Sequence, residues 1–136
     1  MKGKELQGFN FTDLDGKVYD KVTTAGKIVV LKCWFIGCVP CIEKMPALKE
    51  LVNQYKNQRD IVFVSLAFDK KEDLKKFLAK KTFDYAVVAN QKDYLIKDLE
   101  VTSFPTHILI NKKGKVVKVA GSYEEMETAL KKVVSR

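Results

Sequence analysis

Cys38 and Cys41 stand three residues apart in "GCVPC", immediately after the apolar run "IVVLKCWF" of residues 28–35. Two thiols at that spacing can form a redox pair, supply half of a metal site, or be incidental. A structural zinc centre takes about four ligands and usually brings a second Cys/His pair. Here the remaining candidates are only Cys33 and the single histidine, His107, so a metal cage lacks its ligands. The redox reading has position in its favour. An apolar run of strand length ending at Cys38, followed by apolar residues at helical spacing, puts Cys38 at a helix N-terminus. Unpaired N–H groups and the helix dipole there favour a thiolate, the form that attacks disulfides. Cys41, one turn further on, is near enough to close a disulfide and is expected to be more enclosed. Pro40 fits this first turn, where a missing N–H costs little. The residues therefore read as an exposed attacking thiol followed by a resolving thiol. Cys33, inside the apolar strand, reads as a small core residue.

These thiols need a scaffold, and the rest of the chain supplies one. Its 136 residues suit a single domain over 1–136 with a real core, and 46% apolar with 31% charged residues is ordinary globular composition. No apolar stretch approaches the roughly 18 residues of a membrane span, and "MKGKELQGFNF" lacks the apolar centre of a signal peptide. The net charge of +8 could indicate an anionic partner. However, the lysines are scattered, and "DKKEDLKKFLAKK" and "LKKVVSR" read as solvated helix faces. No nucleic-acid partner is expected, and the chain is expected to act as a monomer.

"FNFTDLDGKVYD" carries an Asp15-Gly16 turn between short segments, the mark of a hairpin. Residues 28–35 read as a strand covered on both faces. Ile42, Met45, Leu48, Leu51 and Val52 predict one helix from Val39 to about Tyr55. Strand 61–68, helix 71–80, short strand 85–89 and helix 92–99 follow. "HILIN" and "VVKVAG" form an antiparallel hairpin around "KKGK", and "EEMETALKKVV" closes the chain as an amphipathic helix. This order gives an α/β sandwich around a mixed sheet, with "GCVPC" at the carboxyl end of a central strand, where such folds place chemistry.

The stretch "VVLKCWFIGCVPCIEKMPAL", followed by "SFPTHILINKKGKVV", resembles the thioredoxin superfamily, in particular its TlpA/ResA-like bacterial branch. The resemblance covers nearly the whole chain. It implies a thioredoxin-like three-layer sandwich with an N-terminal β-hairpin, and dithiol–disulfide exchange with protein substrates through Cys38 and Cys41. It implies no organic cofactor or metal, and an upstream dithiol protein as electron donor. It also implies the bacterial periplasm or cell envelope, with cytoplasm as the alternative. The family's cis-proline falls on Pro105, with Phe104 before it, beside the thiols and available to a substrate segment. As a bare sequence feature, Pro105 would be a trans turn proline.

The departures from the pattern concern partner contact, through a more open mouth at Gly37, and proton handling. Relatives often carry Trp before the first cysteine, where this chain has Gly37. Thioredoxin has a buried Asp two residues before the strand Trp; here Lys32 stands there. Where relatives have Glu three residues after the second cysteine, this chain has Lys44, with Glu43 one place earlier and rotated by about 100°. Lys32, Glu43 and Lys44 are thus the candidates for tuning the thiols. Lys32 shares a strand face with Val30 and Trp34. It points beneath the cysteines or snorkels to the surface; beneath them, it would favour the thiolate if charged or accept a proton if neutral.

Three other readings compete. A peroxiredoxin-like peroxidase needs Thr where Phe35 stands and a peroxide-holding arginine, and neither Arg59 nor Arg136 is suitably placed. A copper-delivery protein of the Sco type needs wider cysteine spacing and a suitable histidine, for which His107 is the sole candidate; it reads otherwise as a core or surface residue. A non-catalytic binding module would display Phe104 and the lysines, with the cysteines only bracing the fold.

Overall fold

The computed structural model describes Met1–Ser135; Arg136 lies outside the described residues. The chain begins with the expected hairpin, β1 (Asn10–Thr12) and β2 (Val18–Asp20). Gly16 turns it with φ +88°, a left-handed conformation that a side chain would strain. Asp13 Oδ1 accepts the N–H groups of Asp15 and Lys17 and holds the loop closed.

Five strands form the central sheet in the order β5 (Ala86–Val88), β4 (Ile61–Ala67), β3 (Ile28–Trp34), β6 (Thr106–Ile110), β7 (Val116–Ala120). β3, β4 and β5 run parallel, while β6 pairs antiparallel with β3 and with β7. β3 is buried at every position, as its unbroken apolar run requires of a central strand with both faces covered.

Period-two alternation sends the two halves of each strand to different layers. On one face Val29, Leu31 and Cys33 pack with Val64, Leu66, Ile108 and Ile110 beneath Phe11 and Tyr19 of the hairpin and Leu95 and Leu99. On the other face Ile28, Val30 and Leu109 pack under Leu48 and Leu51 of α2 (Met45–Gln54) and Met126 and Leu130 of α4 (Tyr123–Val134). Towards the end of β3 this second face continues as Trp34, Ala67, Met45 and Leu74, the last from α3 (Lys71–Lys80). The architecture is the mixed sheet flanked by helices with a leading hairpin that the sequence predicts.

Two predicted helices differ in detail. The single helix over 39–55 is two: α1 (Val39–Glu43) and α2, separated at Lys44. Pro46 has no N–H to give the Ile42 carbonyl, and the Lys44 N–H turns to that oxygen instead. The helix at 92–99 is a π-helical segment over Tyr94–Asp98, closed by Leu99 N–H to Tyr94 O at 3.0 Å.

Candidate active site

The thiols sit where β3 gives way to α1. Cys38 is the N-cap of α1 in an extended conformation (φ −83°, ψ 100°), and its sulfur accepts the Cys41 N–H at 3.3 Å. That bond stabilises a sulfur bearing negative charge. Cys38 and Cys41 are joined in a disulfide with their Cα atoms 5.3 Å apart. In this oxidised form Cys38 is less exposed than the sequence predicts: it is 4% accessible, and Cys41 is fully enclosed. Both sulfurs lie in the cluster formed by Trp34, Met45, Leu74 and Val87, which removes them from water. The accessible surface beside them comes from Gly37, Val39 and Pro40, Val39 being 63% exposed.

The loop that presents Cys38 is held from across the sheet. Asp69, just past β4, accepts the Ile36 N–H at 2.9 Å, and Cys38 N–H closes a turn to Phe35 O at 3.1 Å. Asp69 was not a candidate from sequence, because its partner is 33 residues away and nothing local marks it. Phe68 likewise carries no local mark of its role in the sequence. Its ring stacks on Phe35 at 5.0 Å and meets Phe104 edge-on at 5.0 Å, while Phe35 and Phe104 are 5.6 Å apart. These three half-buried rings form one aromatic cluster, of which Phe35 and Phe104 also pack against the core that holds the thiols.

The Phe104–Pro105 bond is cis. Thr106 pairs with Cys33 across the β3–β6 ladder, so Pro105 is next in line towards the end of β3 where the thiols lie. Phe104 and Pro105 are therefore brought to the thiol end of the sheet.

The three tuning candidates separate. Lys32 is fully buried, and its ammonium nitrogen donates to the Cys41 carbonyl at 2.9 Å. It does not snorkel. Its Nζ lies 4.9 Å from the Phe83 ring and 5.6 Å from that of Trp34. Burial pulls its pKa from 10.5 down to about 7. Lys44, by contrast, is exposed and turned towards α4, its ammonium 3.4 Å from Glu124. Glu43 is also exposed, and neither forms a hydrogen bond with the thiol pair among the described residues. The reason is helical phase: positions 43 and 44 follow Cys41 round to the solvent side of the α1–α2 break.

His107 is 1% exposed and sits opposite Lys32 in the β3–β6 ladder. Burial first, and then the Lys32 charge, pull its pKa down to about 4. Its enclosed ring is not displayed for a copper ion, and it is a core histidine. Cys33 is buried on the opposite face, where burial pushes its thiol up to about 12.

A sheet with this strand order, its first long strand delivering a Cys-x-x-Cys pair to a helix N-terminus beside a cis-proline, defines a thioredoxin-type domain. The Thioredoxin-like family model matches residues 26–116, and the chain belongs to that family. The chain is 33% identical over 135 residues to the thiol-disulfide oxidoreductase ResA of Bacillus thuringiensis subsp. konkukian, covering 96% of this chain and 78% of the relative. The ResA of Geobacillus thermodenitrificans is 29% identical over 117 residues, covering 86% and 67% respectively. Among solved structures, a candidate thiol:disulfide interchange protein DsbE from Chlorobium tepidum superposes with a TM-score of 0.81 at 26% identity, covering 98% of this chain and 95% of that one.

Proposed function

We propose that the chain is a thiol–disulfide oxidoreductase that reduces disulfides in other proteins. The observation that carries this reading is the Cys38–Cys41 disulfide at the N-cap of α1, with a backbone N–H already directed at the Cys38 sulfur. In the reduced protein Cys38 attacks a substrate disulfide and forms a mixed disulfide. Cys41 then attacks Cys38, the substrate leaves as a dithiol, and the protein returns to the form described above. Sulfur carries both electrons, so the cycle needs no organic cofactor or metal, only an upstream dithiol protein to reduce the pair again.

Phe104 and Pro105, with Phe35 and Phe68 behind them, are the surface on which a substrate segment rests in this reading. The exposed rim of Gly37, Val39 and Pro40 offers an extended polypeptide a surface beside the thiols. The ResA relatives are named thiol-disulfide oxidoreductases, which supports the same assignment. We place the protein in a bacterial cell envelope, acting as a monomer, on its likeness to the TlpA/ResA-like branch. No helix among the described residues is long and apolar enough to cross a membrane.

Direction is tested by the reduction potential, read from equilibrium with glutathione. A value between about −270 and −200 mV, the span of thioredoxin and the glutaredoxins, is expected for a reductant. A value near −120 mV, that of a strong oxidant, would reverse the assigned direction.

A further inference from the structure

One rung of the sheet carries three buried polar side chains. Reading across the ladders, Val87, Ser65, Lys32, His107 and Ala120 lie side by side on β5, β4, β3, β6 and β7. Its three polar members are buried at 0%, 0% and 1% exposure on the face that carries Trp34 and the thiols. Ser65 is satisfied by the Ala86 carbonyl at 3.0 Å. Lys32 is tied to the Cys41 carbonyl. Neither ring nitrogen of His107 has a hydrogen-bond partner among the described residues.

A buried ammonium is expensive, and nothing acidic offsets this one: among the described residues no Asp or Glu is buried. The groups around Lys32 are Cys41 from α1, Ser65 from β4, His107 from β6, and the rings of Trp34 and Phe83. α2 and α4 cover this face with apolar Leu48, Leu51, Met126 and Leu130. Tyr85 is fully enclosed, and burial pushes its hydroxyl far up, so it stays neutral. His107 is neutral above about pH 4. Lys32 is therefore the one buried group on this rung that changes charge near neutrality, and its nitrogen is hydrogen-bonded to the backbone carbonyl of Cys41, the residue whose thiol must lose a proton.

Resting on the oxidoreductase reading, we propose that Lys32 and the Cys41 thiol share a proton in the reduced protein, with His107 as an uncharged neighbour that leaves this exchange to Lys32. In the resolving step neutral Nζ takes the proton from Cys41 S–H and becomes an ammonium. The electron pair freed on the Cys41 sulfur forms the bond to Cys38. The bond between Cys38 and the substrate sulfur breaks, its electron pair departs on the substrate sulfur, and that sulfur takes a proton from water. Once the disulfide forms, Lys32 no longer has a thiolate beside it and releases its proton to solvent. A lysine thus does with a nitrogen base what a carboxylate could do at the same place, and its charge additionally stabilises the thiolate.

The test isolates Cys41 in a Cys38→Ser background, where Cys33 remains too deeply buried to ionise near neutrality. Thiolate formation is followed by its ultraviolet absorbance against pH, with and without Lys32→Met. The expected result is thiolate appearing around neutral pH when Lys32 is present, and displaced upward by about one pH unit or more without it. Superimposable curves would overturn the proposal. Should Lys32→Met not fold, Lys32→Gln, which also lacks a base, is read in the same way. The titration needs no turnover. A wild-type protein that fails to exchange disulfides would sink the functional reading and leave this result standing, whereas superimposed curves in an active protein would sink the proton sharing alone.

Discussion

Turnover of a protein disulfide by the Cys38→Ser variant should fall about a thousandfold or more relative to wild type. The loss follows from chemistry, because a serine hydroxyl stays protonated at neutral pH and does not attack sulfur. Local structure should survive. The serine oxygen is among the preferred N-caps and can accept the Cys41 N–H that the sulfur accepts now. Cys41 cannot stand in for the missing nucleophile, since it is fully enclosed behind Cys38. The comparison is made by reduction of insulin with a small dithiol supplying electrons, alongside circular dichroism of both proteins. A well-folded variant that retains turnover would show that Cys38 is not the attacking thiol. It would also favour a binding module whose cysteines only brace the fold.

The second large effect is on stability, and its sign is opposite to that of most core substitutions. Lys32→Met should stabilise the fold by about 2–4 kcal/mol at neutral pH and below. Lys32 titrates near 10.5 in the unfolded chain and at about 7 in the folded one, a difference of about 3.5 units. Each unit is worth about 1.4 kcal/mol. Between those two values the unfolded chain holds a proton that the folded protein does not, so wild-type stability rises with pH across that window. Below about pH 7 both states are protonated and the full penalty remains. Methionine removes this penalty but leaves the Cys41 carbonyl without its donor, a cost of about 1–3 kcal/mol that narrows the gain. Urea unfolding of both proteins at several pH values checks it. The variant's advantage should be greatest at and below neutrality and fade towards pH 10.5. Equal stability at every pH would mean that Lys32 is better solvated than its burial indicates.

Both effects arise from features with unequal visibility in the sequence. The strand positions were legible because a central strand must be apolar throughout, and "IVVLKCWF" has little else to be. The thiol site was legible because a Cys-x-x-Cys pair at a strand-to-helix junction has a physical reason to be there. Lys32 could be assigned to the Trp34 face from period-two alternation. Its depth could not, because a lysine stem packs equally well whether its head reaches water or not. The break at Lys44 has a local cause in Pro46, which even apolar spacing on both sides obscured. The π-helical segment was hidden because "YLIKDL" offers Leu95 and Leu99 to the core at a spacing an α-helix also satisfies. Asp69, Phe68 and the His107–Lys32 rung depend on strand register, and no local pattern records which residues the folded sheet sets side by side.

In the proposed mechanism Cys38 carries the substrate and Cys41 releases it. Its most direct test is the Cys41→Ser variant, reduced, mixed with a disulfide-bonded protein, alkylated and mapped by mass spectrometry. Without the resolving thiol the mixed disulfide should accumulate, one substrate per chain, with the bridging peptide containing Cys38. A bridge through Cys33, or no bridge under conditions where the wild type turns over, would contradict the account.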